Sequence, residues 1–294
     1  MSVISLALGR VVERRRAIAI LVTLAAALAA MFSAATARAA DNYVGLGDSY
    51  AAGPLIPNPV LPLGCLKSDH NYPHLAAPLI GLPLRDATCS GAKTDHMTQP
   101  QNVDPDGPNP PQFNRLAADT KVVSISISGN DIGFSEIAQN CITWNPFSSP
   151  CRDRYIVNGQ DTISQRIAAT APKVAAVLQG IHARSPLARV FVLNYPAIFP
   201  ETGSGCWPQM PVSFRDAPYL RAKEKELNQM LATQAAANGA TLVGWYAASI
   251  GHDACKSSSV RWVEPLIPGN FAASIHPNQR GMQGAAIVLD AAVG

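Results

Sequence analysis

Ser49 is the first residue of the chain that could act as a nucleophile on a carbonyl group. It stands in the stretch YVGLGDSYAAG, residues 43–53, directly after a short apolar run that predicts a strand. A serine at a strand-to-helix turn can project its hydroxyl above a sheet, beside the backbone N–H groups of the following turn. The alternative is an Asp/Ser cap at the start of a helix. The choice depends on whether the chain also supplies a base and an oxyanion site.

The histidine best placed to act as a base is His276. It lies in SIHPNQRG, just before the last predicted helix, where Pro277 is expected to fit the first helical turn. His70 and His74 have an i, i+4 spacing that could suit a metal, but Pro73 stands between them and no third ligand has suitable spacing. We therefore expect neither a metal nor any other cofactor.

Two further sites could supply hydrogen-bond donors to a developing oxyanion. Asn130, in the stretch SGND, follows the clearest predicted strand and offers a side-chain N–H. Gly91 follows another predicted strand and can bring a bare backbone N–H close to a ligand. Each could instead be a turn residue, because Asn and Gly are common in turns. Their position after successive strands favours a shared site.

These residues must be positioned by a parallel sheet. Five predicted strands alternate with helical patterns: Tyr43–Leu46, Leu84–Cys89, Lys121–Ile127, Arg189–Leu193 and Thr241–Trp245. The predicted helices are Tyr72–Ile80, Thr162–Ala183, Tyr219–Ala237 and Pro277–Ala292. This alternation indicates an α/β fold with a sheet covered on both faces. Ligands bind at the carboxyl ends of such strands, which is where the candidate residues fall.

Residues 1–39 have the pattern of a secretory signal peptide. A basic segment precedes the apolar run 17–32, and Ala37-Arg38-Ala39 offers a cleavage site near Ala39. The run is shorter than the ~20 residues of a membrane-spanning helix. Residues 40–294 are then expected to be one exported domain. The arginines leave both the general secretory route and the twin-arginine route open.

Charge and cysteine content narrow the class of protein. The whole chain carries a net charge of +3 and the leader +4, which leaves −1 for residues 40–294. A chain this close to neutral lacks the basic surface that nucleic-acid binding requires. The six cysteines all follow the leader, and an even number in an exported protein indicates three disulfides. Fifteen pairings are possible, and we favour the sequential one.

These blocks resemble those of the SGNH (GDSL) hydrolase superfamily, and the resemblance covers nearly all of residues 40–294. It is closest to the secreted actinomycete lipases, esterases and phospholipases, on the motifs GDSYAAG, SGNDIGF, GHDAC, RWVEP and HPN. It implies a flavodoxin-like three-layer α/β/α sandwich with a five-stranded parallel sheet. It also supports the sequential pairing of the disulfides: Cys65–Cys89, Cys141–Cys151 and Cys206–Cys255.

The resemblance assigns roles to the candidate residues. Ser49 and His276 would be the catalytic pair, and the oxyanion would bind to the N–H groups of Ser49 and Gly91 and to the amide of Asn130. The superfamily usually has an aspartate three residues before the histidine, but this chain has alanine there. By analogy with members that use a Ser–His dyad, the main-chain carbonyl of Ser274 would orient the imidazole.

The chain departs from the superfamily pattern at Ala273, and also at Ser128, where the G-x-N-D block normally begins with glycine. Asp253 is a rival acid, but its position beside Cys255 favours a structural role. The apolar residues of the first loop could either line an acyl groove or pack the loop itself: Leu55, Ile56, Val60 and Leu61.

The resemblance implies an exported serine hydrolase of acyl esters. The expected activity is that of a lipase or carboxylesterase, with a phospholipase A-type activity included. The substrate would be a small-molecule or lipid ester, contact with a lipid surface would be transient, and the protein would be a monomer. Carbohydrate deacetylation is the enzymatic alternative. An inactive secreted protein that keeps the site as a binding pocket is the alternative from another class.

Overall fold

A five-stranded parallel sheet lies at the centre of residues 41–294, the part of the chain that the computed structural model describes. The strands are β1 Asn42–Gly47, β2 Leu84–Asp86, β3 Thr120–Ser126, β4 Arg189–Leu193 and β5 Thr241–Val243. Within this range no helix is long and apolar enough to cross a membrane. The predicted signal peptide lies outside the described residues.

The strand order β5-β4-β3-β1-β2 creates a switch point between β1 and β3. From β1 the chain crosses to one edge of the sheet, and from β3 it crosses to the other. Crossovers between parallel strands are right-handed, so the helices of the two halves cover opposite faces. Ligands of such sheets bind at the carboxyl ends of the strands beside this point. Ser49 and Asn130 follow the two strands that flank it.

The longer helices form the outer layers of the sandwich. The helices are α1 Ser49–Ala52, α2 Tyr72–Ile80, α3 Phe134–Cys141, α4 Pro150–Tyr155, α5 Thr162–Arg184, α6 Asp216–Ala237, α7 Trp245–Ala248 and α8 Gln279–Val293. Helix α2 packs against α8, and α5 packs against α6. Together with the sheet they give the predicted three-layer α/β/α arrangement.

The burial of β1 and β3 explains why their sequence patterns predict strands. All six residues of β1 are buried, and in β3 only Lys121 is partly exposed. Because both faces are covered by helices, these strands carry continuous apolar and small residues rather than an alternating pattern. Tyr43 is fully buried, and its hydroxyl lies 2.6 Å from Ser124 Oγ across the β1–β3 pair. The sheet core is thus well fixed beneath the switch point.

Several predicted boundaries differ from the observed ones, among them the end of the second strand, at Asp86, and the start of the helix Asp216–Ala237. Two of the differences have a local cause. The last strand ends at Val243, because Trp245 begins helix α7. The closing helix begins at Gln279, because the side chain of Asn278 accepts hydrogen bonds from two N–H groups of the first turn. Pro277 therefore lies before the helix cap and not in the first helical turn.

Short strands and 3-10 helices lie in the connections for which the sequence patterns predict loops. The strand pairs are Pro59–Val60 with Lys67–Ser68, Gln101–Val103 with Gly107–Asn109, and Ile156–Val157 with Gln160–Asp161. The 3-10 helices are Leu63–Cys65, Thr94–Met97 and Gln112–Arg115.

The three disulfides pair sequentially, as predicted: Cys65–Cys89, Cys141–Cys151 and Cys206–Cys255. Cys89 of the first disulfide lies two residues before the candidate donor Gly91. The third ties the segment after β4 to the loop that contains Asp253.

Candidate active site

The serine stands at a tight turn between β1 and α1. Asp48 is the N-cap of α1, and its Oδ1 accepts from the N–H of Tyr50 at 2.9 Å. The turn requires glycine at position 47, where φ is 140° and a Cβ atom would lie 2.4 Å from the carbonyl oxygen of Ser126. Only Asp48 separates the end of strand β1 from the start of helix α1. Ser49, the first residue of the helix, is left partly exposed.

His276 lies against this serine across 227 residues of sequence. Its Nε2 is 2.8 Å from Ser49 Oγ, and its Nδ1 is 2.8 Å from the carbonyl oxygen of Ser274. A carbonyl can only accept, so Nδ1 carries the hydrogen and Nε2 presents its lone pair to the hydroxyl. Burial lowers the pKa of His276, although the hydrogen bond that its Nδ1 donates to the carbonyl of Ser274 acts to raise it. The neutral form is the one that can accept a proton.

The backbone and a tyrosine hold the imidazole in place. Ile275 has a φ of 59°, a left-handed conformation that turns His276 back toward Ser274. The ring of Tyr50 lies 4.9 Å from the imidazole, and its hydroxyl donates to the carbonyl of Ile275 at 2.6 Å. The residue directly after the serine thus supports the histidine from the side.

The rival acid, Asp253, has another role in the structure. It is buried, and its Oδ1 accepts from the backbone N–H of Cys255 at 3.0 Å. This hydrogen bond stabilises the turn next to the third disulfide. The structural role expected for Asp253 agrees with this geometry.

The candidate oxyanion donors lie in two connected turns. Asn130 Nδ2 donates to the carbonyl of Ala92 at 2.9 Å, which fixes the orientation of the amide and leaves its second N–H available. Gly91, with a φ of 78°, directly precedes Ala92. Ser49 and Asn130 line the same cleft, whereas Gly91 is not among its lining residues. Gly91 is connected to this cleft through its neighbour Ala92, whose carbonyl accepts the hydrogen bond from Asn130.

An apolar cleft extends from the serine. Its walls come from α1, the loop after β3, α3, the segment after β4 and helix α6. The apolar lining includes Ile132, Phe134, Ile137, Ile142, Ile163, Ile198, Phe199, Met210, Val212, Leu220 and Leu227. The first-loop residues Leu55, Ile56, Val60 and Leu61 do not line this cleft.

Besides Asp48, the carboxyl group of Glu224 lines this cleft. Glu224 accepts hydrogen bonds from the N–H of Ile198 at 3.1 and 3.4 Å. Burial raises the pKa of Glu224 well above its ordinary range, which favours the uncharged form. An uncharged carboxyl is compatible with the apolar character of the cleft.

Residues 46–283 match the GDSL-like Lipase/Acylhydrolase family. The chain belongs to this family. Lipase 2 of Streptomyces coelicolor is 38% identical over 281 residues, which cover 91% of this chain and 93% of that protein. Membership places this GDSL-type hydrolase among the carboxylic ester hydrolases.

Two solved structures resemble the fold of this hydrolase over 86% of its chain. Phospholipase A1 from Streptomyces albidoflavus NA297 has a TM-score of 0.70 with 26% identity and is covered over 99% of its length. The extracellular lipase from Streptomyces rimosus has a TM-score of 0.71 with 28% identity and is covered over 100% of its length. These likenesses confirm the predicted SGNH hydrolase fold.

Several residues of this hydrolase's site have no signal in the sequence. Tyr195 lies just after β4, and its hydroxyl donates to Asp48 Oδ2 at 2.6 Å. Tyr50 supports the histidine, and Glu224 lines the cleft. Each acts through a contact with a residue far away in the chain, which local spacing cannot predict. The stretch NYP after β4 could have drawn attention only by its position at a strand end.

Proposed function

We propose that this hydrolase is exported and cleaves acyl esters through an acyl-enzyme on Ser49. The observation that carries the proposal is the hydrogen-bonded series Ser49–His276–Ser274 beside an apolar cleft. Nucleophile, base and orienting group stand in the order that a serine hydrolase requires. The family supports ester hydrolysis, and the assignment of the steps to these residues is our proposal.

In the first half of the reaction, Ser49 Oγ attacks the ester carbonyl while His276 Nε2 accepts its proton. The imidazolium then donates this proton to the leaving alcohol, and the acyl group stays on the serine. In the second half, His276 activates water in the same way and the acid is released. The Ser274 carbonyl keeps the imidazole in the required tautomer and orientation throughout.

The tetrahedral intermediates need donors for their negative oxygen. We assign this role to the N–H of Ser49, the N–H of Gly91 and the free N–H of the Asn130 amide. The hydrogen bond from Asn130 to Ala92 supports the assignment, because it holds the amide before substrate arrives. Donors fixed in advance need no rearrangement when charge develops on the oxygen.

We infer that the cleft binds the acyl chain of a lipid-like ester. Its lining is largely apolar, and burial of CH₂ groups is favourable by about 0.8 kcal/mol each. This favours lipase, carboxylesterase or phospholipase A-type activity. It disfavours carbohydrate deacetylation, where the acyl group is too small to use such a cleft. A structural relative described as a phospholipase A1 makes phospholipids worth testing.

Contact with a lipid surface is part of the proposal. Exposed apolar side chains lie close in sequence to residues that line the cleft: Trp144, Phe147, Phe214, Ile267 and Phe271. Phe147 and Phe214 pack edge to face at 5.6 Å. We propose a transient contact, made by a monomer that has been exported after cleavage near Ala39.

A series of p-nitrophenyl esters of increasing chain length tests the substrate class. We expect kcat/KM to rise from acetate to medium and long acyl chains, with phosphatidylcholine hydrolysed and acetyl-xylan left intact. Ser49→Ala serves as the inactive control for every substrate. A preference for acetate together with release of acetate from xylan would contradict the lipid assignment. If the protein hydrolyses none of these esters, the result would support the alternative of an inactive binding protein.

A further inference from the structure

A buried chain of hydrogen bonds joins the ends of three strands beneath the proposed active site. The hydroxyl of Tyr195, just after β4, donates to Asp48 Oδ2 at 2.6 Å. The same hydroxyl accepts from the N–H of Gly129, after β3, at 2.7 Å. Asp48, after β1, and Tyr195 are 1% and 5% exposed. One phenol oxygen thus connects β1, β3 and β4.

Each end of this chain is covalently next to a group assigned to the reaction. Asp48 precedes Ser49, and its Oδ1 caps the helix that carries the serine. Gly129 precedes Asn130. A Cβ atom at Gly129 would lie 3.1 Å from the Tyr195 hydroxyl, so the backbone approaches this oxygen closely. The hydroxyl of Tyr195 is therefore the side-chain link between the serine turn and the asparagine turn.

Tyr195 is itself rigidly held. The side chain of Asn228 accepts from the N–H of Tyr195 and donates to its carbonyl, both at 2.9 Å. Its ring packs edge to face on Tyr50 at 5.0 Å, and Tyr50 in turn contacts the imidazole of His276 at 4.9 Å. A side chain fixed on both sides can hold the groups bonded to it at a constant distance.

The burial of the Asp48 carboxyl group lowers the stability of the fold. Burial raises the pKa of Asp48 to about 7, although the hydrogen bond from Tyr195 acts to lower it. A carboxyl group in such surroundings opposes folding near neutral pH, and costly groups of this kind concentrate at functional sites. The location of the carboxyl directly before the serine gives the cost a functional reason.

We propose that Tyr195 and Asp48 are positioning residues that set the distance between Ser49 Oγ and the amide of Asn130. The proposal rests on the function proposed above for Ser49 and Asn130. An oxyanion donor must lie about 2.7–3.1 Å from the oxygen that becomes charged. A misplacement of about 1 Å can cost about 100-fold in rate. Tyr195 and Asp48 touch no reacting atom and act through the two turns that they join.

Tyr195→Phe tests the proposal by removing the shared oxygen while keeping the ring. We expect kcat on a p-nitrophenyl ester to fall about 10- to 100-fold, with KM little changed because the cleft keeps its apolar wall. Tyr43→Phe is the matched control, since it also loses a buried hydroxyl contact, to Ser124 at 2.6 Å, but away from the site. It should keep the kcat of the wild type.

Asp48→Asn provides a second variant that does not depend on the tyrosine. Asparagine can still cap α1 through its oxygen, but its amide cannot accept the hydrogen of the Tyr195 hydroxyl at the other position. The same loss of kcat is expected. Wild-type kcat in both variants would overturn the proposal.

A double-mutant cycle with Asn130→Ala separates positioning from a general effect on structure. If Tyr195 acts through Asn130, the double variant should be no slower than Asn130→Ala alone. Multiplicative losses would contradict the proposal, as would equal losses in Tyr195→Phe and Tyr43→Phe. Ser49→Ala distinguishes a failure of the proposed function from a failure of this inference. Activity in Ser49→Ala would refute the proposed function, whereas an inactive Ser49→Ala with a fully active Tyr195→Phe would refute this inference alone.

Discussion

At the scale of single residues, the proposed base, His276, has a neutral hydrogen-bond partner. The carbonyl of Ser274 can fix the tautomer of His276, but it stabilises the imidazolium less than a carboxylate would. Burial adds to this, because it disfavours the charged form and lowers the pKa of the histidine. The imidazole therefore stays neutral, and able to accept a proton, down to a pH below its ordinary range.

The first prediction concerns the pH dependence of the reaction. The proposed mechanism requires neutral His276, so kcat/KM should fall as the pH drops through the lowered pKa of this residue. The midpoint of this fall should lie below about 6.5, the ordinary value for histidine. A profile of kcat/KM against pH on a neutral ester measures it. A midpoint at or above 6.5 would mean that a negative charge supports the imidazole.

Asp253 gives a second prediction at this scale. Asp253→Asn should leave kcat close to that of the wild type, because asparagine can still accept the hydrogen bond from Cys255. If Asp253 were instead the acid of a triad, the same change would lower kcat by about 10⁴-fold. Steady-state kinetics of the variant distinguish the two roles.

Sequence patterns predicted the residues with chemistry of their own but not those that support them. Ser49, Gly91, Asn130 and His276 are recognisable because each follows a strand or precedes a helix. Tyr195 escapes such reasoning, because its partner Asp48 lies 147 residues away and the bond depends on the packing of three strands. Ser128 marked a departure from the family pattern, and its φ of 114° explains why glycine suits that position.

At the scale of elements, the turn between β1 and α1 carries the tightest steric requirement. Gly47 has a φ of 140°, and a Cβ atom there would lie 2.4 Å from the carbonyl oxygen of Ser126 and 2.9 Å from the side chain of Ala51. Neither the neighbouring strand nor the helix can yield without moving the serine. The geometry of the turn thus couples local backbone conformation to the position of the nucleophile.

The third prediction compares two glycines with positive φ. Gly47→Ala should lower the free energy of unfolding by more than about 3 kcal/mol, beyond the ordinary range for a substitution. Gly81→Ala is the matched control, because Gly81 has a φ of 74° but open space around it. It should cost only about 1–2 kcal/mol, for the left-handed conformation. Urea unfolding of both variants measures the difference, and equal losses would refute the steric explanation.

The sequence predicts the bounds of helices and strands well where burial sets the residue pattern. It predicts them poorly where a capping residue sets the end of a helix. Strand Arg189–Leu193 and helix Tyr72–Ile80 have the bounds that the sequence predicted. The closing helix starts later than predicted because the side chain of Asn278 binds its first turn. Helix α3 was missed, since its eight residues are too few to establish a periodic pattern.

At the scale of the whole molecule, three disulfides fasten the long loops around the sheet. Cys206–Cys255 joins residues 49 apart in sequence, whereas Cys141–Cys151 joins residues only 10 apart. In the chain-entropy view a longer closed loop restricts the unfolded state more strongly. The third disulfide is therefore expected to stabilise the fold more than the second.

The fourth prediction follows from these loop lengths. Replacing Cys206 and Cys255 together by serine should lower the free energy of unfolding by about 4 kcal/mol, and replacing Cys141 and Cys151 by about 3 kcal/mol. Chemical denaturation of the two double variants gives the comparison. A larger loss for the shorter loop would show that local contacts, not chain entropy, determine the effect.

The overall fold is the feature that the sequence predicts best, and the apolar cleft is the one that it predicts least. Five strand patterns with helices between them are sufficient to predict a covered parallel sheet. The cleft gathers side chains from α1, the loop after β3, α3 and the segments around β4 and α6, so no single stretch of sequence identifies it. The lining residues are therefore not predictable from any one segment of the sequence.

The central claim, that Ser49 forms the acyl-enzyme, is tested most directly by covalent labelling with a p-nitrophenyl alkylphosphonate. Mass spectrometry of the intact protein and of its peptides locates the adduct while residual esterase activity is measured. We predict one adduct, on Ser49, that forms in step with the loss of activity and is absent from Ser49→Ala. Complete inactivation with Ser49 unmodified would contradict the account.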